Sequence, residues 1–143
     1  MDKSINLIKL SVGSESVEDM IAWQSSARAQ GPDGLPRHIT RMWPKQETAL
    51  LNGGSIYWVV QGFIQCRQRL VRLDEIIGSD GIRRCGIVLD PDVVRTTGAQ
   101  KRPFQGWRYL KPEDAPTDLP RRRQDEEPLP PDLNAALADI GVL

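Results

Sequence analysis

The sequence predicts an α+β domain whose main element is a mainly antiparallel, bent and partly closed small barrel, flanked by short helices. Three observations support this prediction. Several short segments alternate in the manner of strands, and two have the apolar spacing of helices. The chain of 143 residues is long enough for one core. The strand-like segments follow one another through short turns, which favours antiparallel pairing. A flat open sheet with helices on one side is the alternative architecture.

The first half of the chain predicts strands and helices in alternation. Residues 5–12 form a first strand, with Ile5, Leu7 and Lys9 facing one way and Ile8 and Leu10 the other. A helix is expected over Val17–Ala29, capped by Ser16. Residues 38–42 predict a strand. A second, short helix follows, with Pro44 in its first turn and Gly53 at its C-terminal cap.

The second half predicts mostly strands. Residues 55–66 read as one strand that is apolar on both faces and therefore covered on both sides, with Gly62 at a bulge or bend. Residues 67–77 pair antiparallel with a neighbour and end at the turn over 78–81. Residues 82–90 and 104–110 are the remaining strands.

The composition changes at residue 112. We expect residues 1–111 to form the barrel-like domain and 112–131, with six prolines, to form a charged linker. Residues 132–143 predict a short helix with Leu133, Leu137 and Ile140 on one side. This C-terminal helix is expected to dock on its own domain or on a protein partner.

The zero net charge conceals an uneven distribution along the chain. Residues 36–111 carry 13 basic and 6 acidic side chains, whereas residues 112–143 carry 3 basic and 8 acidic ones. Arginine, which matches phosphate geometry and stacks on aromatic rings, supplies 14 of the 19 cations. Seven of the eight aromatic residues also lie in the basic segment. The acidic tail is expected to cover this basic surface, so deleting residues 112–143 should change nucleic-acid affinity.

The combination of arginines and aromatic residues predicts a nucleic-acid-binding surface, with RNA, single-stranded or structured, preferred to DNA. Cations contact phosphates, and aromatic faces stack on bases. Arg41, Arg67, Arg69 and Arg108 are expected to hold phosphates, and Trp43, Tyr57 and Tyr109 to stack. The complete predicted set is Arg41, Trp43, Tyr57, Arg67, Arg69, Arg102, Phe104, Arg108 and Tyr109. Trp58 and Trp107 are assigned first to the core.

Other interpretations of the same residues remain open. The arginines could form a solvated face or pair with Asp74, Glu75 and Asp90. An enzyme acting on a nucleotide or another phosphorylated small molecule is the first alternative function. A protein-interaction module that uses the C-terminal helix is the second.

The sequence supports binding rather than catalysis, and we assign no catalytic residue, no cofactor and no metal ligand. His38, Cys66 and Cys85 match no zinc motif. No apolar run is long enough for a membrane span and no signal peptide is recognisable, so a cytoplasmic location without membrane contact is expected. In that compartment the two cysteines are expected to be thiols.

Several strings along the chain together resemble the bacterial domain-of-unknown-function family numbered 1489. They are RHITRMWPK, GGSIYWVVQG, RQRLVRLDEIIG, GIRRCGIVLDPDVVRT, RPFQGWRYLKPEDAP and LADIGVL. This resemblance implies no activity. The layout of a short helix ending in LLNGGS, a strand and a basic second strand also looks like the small barrels of the PUA and ASCH group. That likeness implies RNA binding. The loop Asn52–Ser55 lacks the lysine on which ASCH-type enzymes rely.

Overall fold

The computed structural model describes residues 4–120. These residues form one mixed sheet with two short helices. The elements in chain order are β1 (Asn6–Leu10), α1 (Val17–Gln24), β2 (Arg37–Thr40), α2 (Glu47–Leu51), β3 (Ser55–Val60), β4 (Phe63–Ile77), β5 (Arg83–Leu89), β6 (Val94–Gln100) and β7 (Trp107–Leu110). Single 3₁₀ turns occur at Ala27–Ala29 and Pro112–Asp114. Neither helix within residues 4–120 is long and apolar enough to cross a bilayer. The predicted C-terminal helix, residues 132–143, lies outside the described residues.

The seven strands follow the order β2-β5-β4-β3-β1-β7, and β6 pairs with β4. All pairings are antiparallel except β1 with β3, which agrees with the predicted mainly antiparallel α+β class. The strand pairing does not close into a barrel within the described part of the chain. Strand β4 is long enough to pair with β6 along its first half and with β5 along its second half.

The sheet is strongly curled. Strands β2 and β3 are separated by two other strands, so a flat sheet would hold them about 14 Å apart. Nevertheless, the ring centroids of His38 on β2 and Trp58 on β3 are only 5.6 Å apart. Bulges in the pairings of β4, including one between Leu70 and Arg72, allow this bend. We call the concave side the inner face and the convex side the outer face.

The main core fills the inner face, where α1 and α2 contribute Met20 and Leu50. Trp58 and Trp107 are 4% and 7% exposed, which confirms their assignment to the core. A second, smaller cluster lies on the outer face around Tyr57. Both cysteines are buried thiols, as expected. Burial raises the pKa of Cys66 to about 12 and that of Cys85 to about 11, so both stay protonated at neutral pH.

The predicted single strand over residues 55–66 is wrong, because the chain reverses inside it. Gln61 and Gly62 have φ values of 52° and 85° and form the tight turn between β3 and β4. Positive φ at both central residues is the geometry of a two-residue hairpin turn, and glycine provides it without strain. Gly62 is therefore a turn residue rather than a bulge. Strand β6 was not anticipated from the sequence at all.

The predicted helix over Val17–Ala29 is also too long. The hydroxyls of Ser25 and Ser26 donate to the carbonyl oxygens of Ile21 and Trp23, at 3.0 and 2.6 Å. Such side-chain bonds compete with continued helical pairing. Helix α1 therefore ends at Gln24.

Side chains from β7 join the two edges of the curled sheet. The Trp107 indole N–H donates to the Met42 carbonyl oxygen at 3.0 Å. The Tyr109 hydroxyl accepts from the backbone N–H groups of Lys45 and Gln46 at 2.9 and 3.1 Å. Since β7 is one edge strand and this segment directly follows β2, the other edge strand, these bonds link the ends of the strand order.

The Tyr109 hydroxyl provides a first test. We expect Tyr109→Phe to lower the free energy of unfolding by about 1 kcal/mol, because two backbone donors lose their protein acceptor. Urea denaturation monitored by tryptophan fluorescence measures this change. Tyr57→Phe is the matched control, since no hydrogen bond of the Tyr57 hydroxyl is found within residues 4–120. Equal effects of the two substitutions would contradict the linking role.

Candidate functional site

Four residues of the predicted nucleic-acid surface share the outer face. The strand register places Arg108, Ile8, Tyr57 and Arg67 side by side across β7, β1, β3 and β4. Arg69 lies opposite Ser55 in the next row of the same face. Alternation along each strand explains this grouping, because residues two apart point to the same side.

Trp43 and Tyr109 lie on the other side of the sheet, against the main core. The Trp43 ring is covered by the guanidinium group of Arg83, which lies 4.4 Å from its centroid. The hydroxyl of Tyr109 is used in the link between the sheet edges. The structure therefore does not bring these two aromatic residues together with the outer-face arginines.

The loop between β6 and β7 completes one end of the outer face. Phe104 is partly buried against the outer-face cluster. The guanidinium carbon of Arg108 lies 5.0 Å from the Phe104 ring centroid, a cation–π contact. Arg102 is exposed in the same loop, and Arg41 is exposed directly after β2.

The arginines divide into paired and unpaired groups. Arg72 pairs with Asp74 and Arg83 with Glu75, as expected if the arginines pair with these carboxylates. No ion-pair partner is found within residues 4–120 for four members of the predicted set. They are Arg41, Arg69, Arg102 and Arg108. All four are exposed.

Arg67 is the exception among the predicted arginines. Its guanidinium group donates to both carboxylate oxygens of Asp118, at 2.8 and 2.7 Å, and to the Ser55 hydroxyl at 3.0 Å. The bond from Arg67 holds the pKa of the Asp118 carboxyl below its ordinary value. Asp118 belongs to the segment predicted as a linker. We call residues 112–119 the strap.

The strap lies over the outer face beside β6. The Thr97 N–H donates to the Thr117 carbonyl oxygen at 2.8 Å, and the Leu119 N–H donates to the Arg95 carbonyl oxygen at 2.9 Å. Tyr57 is left 7% exposed, and its burial raises the pKa of its hydroxyl. With 7% of its surface exposed, Tyr57 offers little ring area for a base to stack on while the strap is in this position. An open cleft of about 350 Å³ remains between the strap and Tyr57, Ser55 and Arg67.

A second candidate site lies on the inner face, between β1, α1 and β2. It is a pocket of about 450 Å³. Lys9, His38 and Trp58 line it, together with Trp23 of α1, which is 55% exposed. The sequence placed Lys9 on the same side of the first strand as Ile5 and Leu7 but did not assign it to a site. The sequence feature that could have indicated a site is a lysine at a position where the alternation of the strand predicts an apolar residue.

His38 is held without a polar partner. Its Nε2 atom is buried and has no hydrogen-bond partner within the described residues. The ring meets Trp58 edge-on at an interplanar angle of 86°. Burial, with a further contribution from the charge of Lys9, lowers the pKa of His38 to about 4. The imidazole is therefore neutral at pH 7.

A buried amide pair fixes the Trp58 wall of the pocket. Gln68 is fully buried, and its Oε1 accepts from the Trp58 indole N–H at 2.8 Å and from Gln24 Nε2 at 2.8 Å. Its Nε2 donates back to Gln24 Oε1 at 2.6 Å and to the Asp90 carbonyl oxygen at 3.0 Å. These bonds tie α1 to β4 and orient the indole.

Among residues 4–120, no three His, Cys, Asp or Glu side chains lie close enough together to hold a metal ion. The raised pKa values of Cys66 and Cys85 mean that neither thiol is an activated nucleophile at neutral pH.

These features define an α+β domain with a curled mixed sheet, a convex face bearing arginines and a concave face with a pocket. The chain belongs to the DUF1489 family, described as proteins of unknown function, whose model matches residues 7–143. This confirms the family resemblance seen in the sequence. Neither a curated protein nor a solved structure matches the chain.

The buried imidazole makes stability depend on pH. Because the folded-state pKa of His38 is about 4 rather than 6.5, the unfolded chain binds a proton between these values that the folded chain does not. The free energy of unfolding should therefore fall as pH drops from 6.5 toward 4, by about 3 kcal/mol in total. Urea denaturation at pH 7, 6 and 5 measures this decline.

His38→Phe is the control for this pH effect, because it keeps an aromatic ring beside Trp58 but does not titrate. His38 is the only histidine in the chain. The carboxyls of Asp33, Asp80 and Asp118 have pKa values lowered from 3.8, so their contributions are lost below this window. An equally steep decline in the variant would contradict the assignment to His38.

Proposed function

We propose that the protein binds RNA, single-stranded or structured, through the outer face. The observation that carries this proposal is the placement of Arg69 and Arg108 on one face, both exposed and without a carboxylate partner in the described part of the chain. Exposed cations that are not neutralised by neighbouring carboxylates attract a polyanion. The gain comes largely from release of its condensed counterions.

The spacing of the cations suits an extended strand of RNA. Arg108 and Arg67 lie in one row with two strands between them, which corresponds to about 14 Å along the sheet. The cation–π contact with Phe104 orients the Arg108 guanidinium group. Arg108 then holds a phosphate beside the Phe104 ring, and a base can stack on the exposed guanidinium plane. Arg102, in the loop before β7, and Arg41, directly after β2, add further exposed positive charge.

Arg67 joins this surface by exchanging partners. A phosphate has the same bidentate geometry as the Asp118 carboxylate and can replace it on the guanidinium fork. Release of Asp118 loosens the strap and uncovers Tyr57 for stacking. The strap, which is the first part of the acidic tail, thus lowers affinity in the free protein, as expected for that tail. We extend the proposal to the fold, which we compare with the small barrels of the PUA group. The curled sheet and the hydrogen bonds between its two edges support this comparison.

Substitution of the two unpaired arginines tests the proposal. We expect the full-length protein to bind a labelled mixed-sequence RNA more weakly as salt increases. Arg69→Ala/Arg108→Ala should reduce affinity by at least about tenfold and make the logarithmic salt slope shallower by about 1.4, since two phosphate contacts are lost. Fluorescence anisotropy at several salt concentrations measures both quantities.

Arg72→Ala/Arg84→Ala is the matched control, because it removes the same charge from arginines that already pair with carboxylates. We expect this control to have a much smaller effect. Equal losses in the two double variants would show that only total charge matters. Absence of RNA binding by the wild type at low salt would refute the proposed function.

The pairing of Arg67 with Asp118 leads to a second expectation. Asp118→Asn removes the charge that competes with phosphate, so RNA affinity should rise about three- to tenfold. The same anisotropy titration at a fixed salt concentration measures this increase.

Asp80→Asn provides the comparison for Asp118→Asn. This substitution removes the same negative charge but acts in the turn between β4 and β5, where Asp80 pairs with Arg84. If both variants gain equally, the strap has no specific role. A loss of affinity in Asp118→Asn would mean that the strap contributes to binding instead of opposing it.

A further inference from the structure

The environment of Lys9 is the first observation that points to a ligand in the inner-face pocket. Lys9 is the penultimate residue of β1, with Trp58 on one neighbouring strand and Trp107 on the other, at paired positions of the same face. No carboxylate within residues 4–120 lies within ion-pair distance of its ammonium group. Burial lowers its pKa. A partly desolvated and unpaired cation is unfavourable and gains most from an anion.

The second observation concerns the polar groups around this cation. His38, whose Nε2 atom is buried and has no hydrogen-bond partner within residues 4–120, lines the same pocket. Arg37 also lines the pocket, and no ion-pair partner of its side chain is found in the described part of the chain. These two cations outnumber the one carboxylate of the described residues that lines the cavity, Asp19, so the cavity suits an anionic phosphate.

The shape of the pocket indicates the rest of the ligand. Its volume of about 450 Å³ is in the range of small-molecule sites. Trp23 is 55% exposed beside it and offers a ring on which a flat heterocycle can stack. Ser11, Ser14 and Asp19 line the same cavity and offer partners for sugar hydroxyls.

We propose that the inner-face pocket binds a mononucleotide, with the base against Trp23 and the phosphate near Lys9 and Arg37. The nucleotide is either free or one unit of an RNA strand, and both share this chemistry. The site is separate from the outer-face arginines and does not depend on the RNA-binding function proposed above.

Isothermal titration calorimetry of the full-length protein with AMP, GMP, CMP and UMP tests this proposal. We expect at least one to bind with a submillimolar dissociation constant, and its nucleoside without phosphate to bind at least about tenfold more weakly. Lys9→Met keeps the length of the side chain and should weaken binding about tenfold. Trp23→Leu, at an exposed position, should have a similar effect through lost stacking.

Lys111→Met is the matched control, because Lys111 is exposed and does not line the pocket. We expect it to bind as the wild type does. Failure of all four nucleotides to bind at millimolar concentration would overturn the proposal. Binding that is unchanged in both Lys9→Met and Trp23→Leu would also overturn it.

Competition distinguishes the two sources of the nucleotide. If a short mixed-sequence RNA displaces the bound mononucleotide, the pocket accepts one unit of a strand. If both bind together, the ligand is a free nucleotide. Arg69→Ala/Arg108→Ala should retain mononucleotide binding in either case, so failure of the RNA proposal and failure of the pocket proposal give different results.

Discussion

The double pairing of β4 is the constraint on which the rest of the molecule depends. Strand β4, Phe63–Ile77, pairs on one side with β6 in its first half and with β5 in its second half. On its other side it pairs with β3. Bulges let β4 bend between these partners. The bend brings β2 opposite β3 and sets His38 against Trp58. The inner-face pocket is therefore a consequence of curvature, since a flat sheet would place these rings far apart.

Hydrogen bonds from aromatic side chains hold together segments that the curled sheet brings close. Trp107 and Tyr109 bond to the backbone after β2, and Trp58 bonds to the buried Gln68. A buried donor without an acceptor costs more than a hydrogen bond gains, so the bonds of the Trp58 and Trp107 indole N–H groups favour one position of each ring. The aromatic residues with structural hydrogen bonds are thus poorly suited to stacking on a mobile ligand. Within residues 4–120, the side chains of Phe104 and Trp23 make no such hydrogen bond.

Alternation in the sequence was sufficient to assign the faces of β1 and the burial of Trp58 and Trp107, because each depends on neighbours along a single strand. It was insufficient wherever the partner is distant. The pairing of Arg67 with Asp118 joins residues 51 positions apart, and nothing local distinguishes Arg67 from Arg69. The β3–β4 turn was missed because apolar residues on both sides of Gln61–Gly62 continue the strand pattern across the reversal. The pocket was not predicted, because it lies between β1, α1 and β2, which only the fold brings together.

The two candidate surfaces are opposite sides of the same strands, which makes their residues mutually dependent. In β7, Trp107 and Tyr109 face inward, so Arg108 between them must face outward. In β1, Lys9 faces inward, and Ile8 faces outward in the same row as Arg108. A shift of one residue in the pairing would bury Arg108 without a partner and expose Trp107. The free energy of leaving a buried arginine unpaired opposes that shift, so Arg108 also helps to specify the register that forms the pocket.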